Sequence, residues 1–141
     1  MRFMVIVKAN EDSENGVLPT EQQLTEMGAY NEQLVKAGIM LAGEGLHPSS
    51  KGARVRFDAE GNASVVDGPF AETKELVAGF WILEVSSREE VLEWIKEAPF
   101  RDSEVEVRQV FSDDDFGDAM TPELREKENQ MREAVAAQRG A

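Results

Sequence analysis

Cysteine is missing from all 141 residues, which excludes disulfides, thiolate metal sites and a cysteine nucleophile. Histidine occurs once, as His47, with no partner at ligand spacing. Asp113-Asp114-Asp115 lacks the ordered spacing of a calcium loop, so no metal site is expected. Basic residues are scarce. With 15 Lys and Arg against 28 Asp and Glu the formal charge is -13, which repels phosphate backbones and anionic lipid and argues against nucleic acid or a membrane as partner. No apolar run approaches membrane-spanning length, and the opening Met-Arg-Phe-Met-Val-Ile-Val-Lys is charged too soon for a secretory segment, so a cytoplasmic protein is expected. Neither a glycine-rich phosphate loop, nor a hydrolase elbow, nor a dinucleotide fingerprint occurs, so no cofactor is expected.

What is present suffices for one core: 41% hydrophobic residues, with two Trp and seven Phe. Arg2 to Lys8, short and β-branched, predicts a strand, and Asn10 to Val17 a polar turn region. Thr20 and Gln23 form a capping box for a helix with Leu24, Met27, Tyr30, Leu34 and Val35 at helical spacing, ended by Gly38. Ile39 to Ala42 predicts a second strand and Gly43-Glu44-Gly45-Leu46-His47-Pro48 a loop. Ala53 to Asp58 and Ala63 to Asp67 predict an inserted hairpin around Glu60-Gly61-Asn62. Leu76 to Val85 lacks the alternation of a strand wetted on one face, so both its faces should be buried. Ser87 and Glu90 suggest a second capping box, opening a helix that stops at Pro99, and Glu104 to Val110 a last strand.

Strand, helix, strand, strand, helix, strand is the split ferredoxin-like βαββαβ order of an α+β fold, with two helices on one face of an antiparallel sheet. If both faces are dry, the open one needs a cover, and we expect a homodimer in which two sheets face each other. Residues 1–111 form this domain. Residues 112–141 are an acidic linker and a polar C-terminal helix started by Thr121 and Pro122, with only Leu124, Met131 and Val135 as apolar stripe.

The sequence Asp67-Gly68-Pro69-Phe70-Ala71-Glu72-Thr73-Lys74-Glu75, with Gly43-Glu44-Gly45-Leu46-His47-Pro48 and the Gly79-Phe80 step, resembles the DGPF-type branch of the YCII-related family, from Met1 to about Phe111. The resemblance implies a dimeric α/β-barrel and a poorly settled function. It also implies a superfamily that includes enzymes acting on small aromatic compounds, and genes often adjacent to alternative sigma factors. The wider family is proposed to use a His and Asp pair.

The Gly-Pro corner marks the expected site. Asp67 is either a general acid or base, or a carboxylate capping its own turn. His47 is a proton relay or a bystander on its loop, and Glu44 a partner for Asp67 or a charge on a flexible turn. Gly45 and Gly68 allow close approach of a ligand, and Phe70 with Phe80 and Trp81 forms an aromatic wall or ordinary core. Thr73 and Lys74 would hold a ligand carboxylate or phenolate; Lys74 alternatively pairs with Glu72 or Glu75. Two functions follow: a cofactor-independent lyase or isomerase moving protons on a small aromatic or carbonyl compound, or a non-catalytic regulatory dimer whose acidic surface and C-terminal helix engage a basic protein partner.

Overall fold

The computed structural model describes residues 1–72 and 75–140, so Thr73, Lys74 and Ala141 lie outside the described residues. Strand β1 (Arg2–Lys8) runs down the middle of a sheet, between β5 (Val77–Glu84) and β6 (Val105–Gln109), and β2 (Met40–Gly45) pairs with the far side of β5. Every pairing is antiparallel, and the order β2-β5-β1-β6 is that of the split ferredoxin-like arrangement. Strands β3 (Ala53–Phe57) and β4 (Ala63–Asp67) form the inserted hairpin as a separate ribbon. Asp58 closes its turn: its Oδ1 accepts from the backbone N–H of Glu60 and Asn62 at 3.0 and 2.8 Å.

The helices begin where their caps dictate. In α2 (Glu21–Lys36) Thr20 Oγ1 accepts from Gln23 N at 3.1 Å, Gln23 Oε1 accepts from Thr20 N at 2.9 Å, and Gly38 past the end has φ 73°. Ser87 caps α3 (Arg88–Lys96), but Glu90 reaches one residue further back than a capping box requires. It takes the backbone N–H of Ser86 at 2.7 Å. The stretch expected as a polar turn holds a one-turn helix, α1 (Glu11–Glu14), because Asn10 and Ser13 cap each other.

The core lies between the helices and one sheet face. Phe3 and Val5 of β1 and Trp81 and Leu83 of β5 pack against Tyr30 and Leu34 of α2 and Val91 of α3. Tyr30 Oη donates to the Trp94 carbonyl at 2.6 Å, linking the two helices. Leu24 and Val35, expected in the apolar stripe of α2, are exposed, because the face turned to the sheet is narrower than their spacing suggests.

Burial of β5 alternates within the single chain: Gly79, Trp81 and Leu83 are buried, whereas Ala78, Phe80 and Ile82 are half-buried on the outer face with Met4 and Ile6 of β1. The expectation of two dry faces is therefore met on the helix side only. A second correction concerns Gly43-Glu44-Gly45, expected in a loop but forming the end of β2 in register with Trp81, Phe80 and Gly79.

Residues Met1–Gln109 and Val110–Ala141 form two compact units. In the second, the acidic run holds 3-10 turns over Asp113–Ala119, kinked at Gly117, ahead of α4 (Pro122–Gly140). Asp114 and Asp113 accept from Arg125 and Arg132 of that helix at 3.1 and 3.3 Å, and Phe111 stacks on Phe116. Among the described residues, no helix is long and apolar enough to cross a membrane.

Candidate functional site

On the helix side of the sheet, β2 carries glycine twice at the inward-facing register, at Gly43 and Gly45, and β5 places Gly79 opposite Gly45. Side chains are thereby withheld from one end of the sheet, and a hollow of about 230 Å³ opens between it and α2. Its floor is glycine; its walls are Trp81, Phe100, Met27 and Val7. At Gly43 a Cβ would come within 2.8 Å of the Trp81 ring, so glycine there lets the indole lie flat against β2. At Gly79 it would meet the Glu44 carbonyl oxygen at 2.9 Å. At Gly45 it would meet nothing within 4 Å, because the hollow lies there.

Trp81 is held from both sides, edge to face with Tyr30 and Phe100 at ring-centroid distances of 5.9 and 6.0 Å. Its Nε1–H donates to Asn31 Oδ1 at 2.9 Å. Because an indole nitrogen only donates, the Asn31 amide must turn its oxygen to Trp81 and keep its NH₂ as the polar donor of the hollow. The space therefore lies beside this aromatic pair, over Gly45, with the Asn31 amide at its edge.

A second, more open hollow of about 330 Å³ gathers His47, Ser49, Arg54, Phe70 and Glu14. Ser49 organises it: its N–H and its hydroxyl donate to the two oxygens of Glu14, and its Oγ accepts from Phe70 N at 3.0 Å. The Arg54 guanidinium stands 3.8 Å from the centre of the Phe70 ring. Gly68 N donates to the Gly52 carbonyl at 3.0 Å, and a Cβ on Gly68 would fall 1.8 Å from the Ser49 carbonyl oxygen, so glycine is required by packing. The Gly68-Pro69 peptide bond is cis.

The residues anticipated from sequence thus divide among three places. Trp81, Gly45 and Glu44 belong to the first hollow, although the Glu44 side chain, in register with Phe80, shares the outer face. Phe80 and Trp81, adjacent in β5, both line the first hollow, although their side chains point to opposite faces of the strand. His47 and Phe70 belong to the second hollow, with Gly68 packed beside it. Asp67 is exposed at the end of β4, on the hairpin ribbon rather than on the sheet that carries Glu44. Thr73 and Lys74 lie outside the described residues.

Asn31, Phe100 and Met27 were not anticipated. Asn31 had a signal: with Met27 four residues before it and Leu34 three after, it is a polar residue on an apolar helical stripe. Among the described residues, no three or more His, Asp or Glu side chains gather to hold a metal ion.

A split ferredoxin-like domain with an inserted hairpin and an aromatic slot beside its first long helix is the class this chain presents. It belongs to the YCII-related domain family, whose model matches residues 1–114. An uncharacterized protein of Rhizobium meliloti (strain 1021) is 34% identical over 77 residues, 55% of this chain and 61% of that protein. The match thus spans less than two thirds of that relative. Among solved structures, 5-chloro-2-hydroxyhydroquinone dehydrochlorinase (TftG) from Burkholderia phenoliruptrix AC1100, in complex with 2,5-dihydroxybenzoquinone, aligns with a TM-score of 0.42 at 19% identity. The alignment covers 79% of this chain and 96% of that one.

Proposed function

We propose that the chain binds a small, oxygen-bearing ring compound in the slot that Trp81 and Phe100 wall beside Gly45. The observation that carries this reading is the open space over Gly45, in a hollow floored by Gly43 and Gly79, beside a fixed indole whose partner, Asn31, offers an amide donor. At about 230 Å³ the slot is larger than an apolar cavity of about 150 Å³ that accommodates benzene, and smaller than the about 300–1,000 Å³ of sites for drug-sized ligands. One substituted ring is the matching size.

The finer reading is a cofactor-independent lyase or isomerase, in which the Asn31 amide receives the oxygen where negative charge develops on an aromatic or carbonyl substrate. Glu44, His47 and Asp67 are the candidate proton carriers, and this reading requires one of them to reach the slot. Titrating the protein with monocyclic phenols and enones, while following tryptophan emission and product formation, tests both levels. Saturable binding supports the site. Turnover that is equal in wild type and Asp67→Asn removes Asp67 from the chemistry, and the absence of any binding rejects the slot.

The outer sheet face favours a second copy of the chain as its cover. Met4, Ile6, Phe80 and Ile82 form an apolar patch there that lies outside the core cluster. A facing sheet would bury it and make the protein a homodimer.

A further inference from the structure

The slot does not end at Phe100. A larger hollow of about 580 Å³ adjoins it, and Val7, Met27, Ala78 and Phe100 line both. Its far wall comes from the start of α2 and from the turn after α3, where Pro99, Phe100, Arg101 and Ser103 follow one another past Asp102, at φ 50°. One short turn therefore supplies an aromatic wall to the inner slot through Phe100 and a cation to the outer hollow through Arg101.

The vestibule, like the second hollow with its Lys51 and Arg54 against Glu14, runs against the acidic balance of the chain. In a chain with 28 acidic and 15 basic residues, its lining carries Lys8 and Arg101 against Glu26 alone. Lys8 is already paired with Glu106 at 3.1 Å, and Glu26 accepts from Gln22 at 3.1 Å. Arg101 makes no ion pair among the described residues. Arg101 is exposed, with no carboxylate paired to it among the described residues, and its place in the hollow that adjoins the slot puts its guanidinium within the path of an anion that arrives with the ligand.

We infer that the ligand is a ring acid: an aromatic ring in the slot, joined by a short arm to a carboxylate that meets Arg101 in the vestibule. This rests on the slot being the binding site and adds the class of compound it takes. The arm is needed because ring and guanidinium occupy adjoining hollows, and the acid because a neutral arm would leave the unpaired cation unused.

The test compares 3-(4-hydroxyphenyl)propionate, whose ring carries the oxygen that the slot takes, with its neutral amide on the full chain, by isothermal titration and tryptophan emission. The acid should bind about ten-fold more tightly than the amide, a preference that falls as salt is raised. Arg101→Gln should abolish the preference while leaving amide binding unchanged, and Arg101→Lys should restore part of it. Equal binding of both probes by wild type, or a preference that survives in Arg101→Gln, overturns the ring-acid inference and leaves the slot standing. If neither probe binds, the slot reading fails and the inference falls with it.

Discussion

The indole Nε1–H of Trp81 donates to Asn31 Oδ1 at 2.9 Å, joining β5 to α2 at the back of the slot. The bond does two jobs that substitution separates. Asn31→Asp keeps an acceptor for Trp81 and removes the slot's donor, so the fold should persist while affinity for an oxygenated ring falls about ten-fold. Asn31→Leu removes both and strands a part-buried indole N–H, at a cost of about 1–3 kcal/mol in stability. Urea unfolding followed by tryptophan emission, alongside ligand titration, distinguishes the two patterns.

Gly43 and Gly45 lie two residues apart on one strand but differ in what a methyl group would meet. At Gly43 it would collide with the Trp81 ring and with the end of Met40, so Gly43→Ala should cost about 1–3 kcal/mol through overpacking. At Gly45 it enters open space, so Gly45→Ala should leave the thermal midpoint unchanged or slightly raised while the methyl occupies the slot and weakens binding. Loss of stability in Gly45→Ala would show that this end of β2 is packed rather than open.

Gly68→Ala places its Cβ on the Ser49 carbonyl oxygen, and Ser49→Ala removes the acceptor of the Phe70 N–H and the hydroxyl bond to Glu14, leaving the Ser49 N–H bond to Glu14 in place. Each should loosen the corner that joins β4 to the rest of the chain, at about 1–3 kcal/mol for either substitution. Amide exchange should rise first around residues 49 to 52 and 68 to 70, ahead of the sheet. Uniform change across β1 and β5 instead would mean that the corner is not a local unit.

Burial, with the nearby Glu97 carboxylate adding to it, pushes the Tyr30 hydroxyl up to about 12 from its ordinary value of 10. The neutral form is therefore the one that folding favours. Its contribution is complete below pH 10; it declines as the unfolded chain ionises and is gone once the pH passes about 12, where the folded protein ionises too. Tyr30→Phe should lower stability at neutral pH by about 1 kcal/mol through loss of the bond to the Trp94 carbonyl, and should flatten the alkaline decline. Denaturant midpoints collected from neutral to strongly alkaline pH check both.

Local rules carried the fold. The Thr20 and Gln23 cap, the Ser87 cap, Gly38 and the β-branched run of β1 each act within a few residues, and their order alone gives the split ferredoxin arrangement. The end of β2 was misjudged because glycine lowers strand propensity. What decided it was tertiary: Gly43 makes room for the Trp81 ring, and Gly45 faces Gly79. The slot was only half legible for the same reason. Trp81, Gly45 and Glu44 stood out by type, but Asn31 and Phe100 reach them from distant parts of the chain. The Gly-Pro corner drew attention to Asp67, whereas much of that segment is engaged in packing on Ser49 and Gly52.

The outer face of the sheet separates a self-sufficient chain from one that needs a twin. Met4, Ile6, Phe80 and Ile82 sit side by side in register there, away from the helices, and a stable pair needs about 800 Å² buried on each partner. Ile6→Lys with Ile82→Lys places two cations on that patch at positions outside the lining of the slot. Sedimentation equilibrium should give a dimer for wild type at micromolar concentration and a folded monomer for the double variant, with dissociation strengthened at least about 100-fold. A wild-type monomer of unchanged stability would mean that half-burial of these side chains within one chain is enough, and that no second sheet covers them.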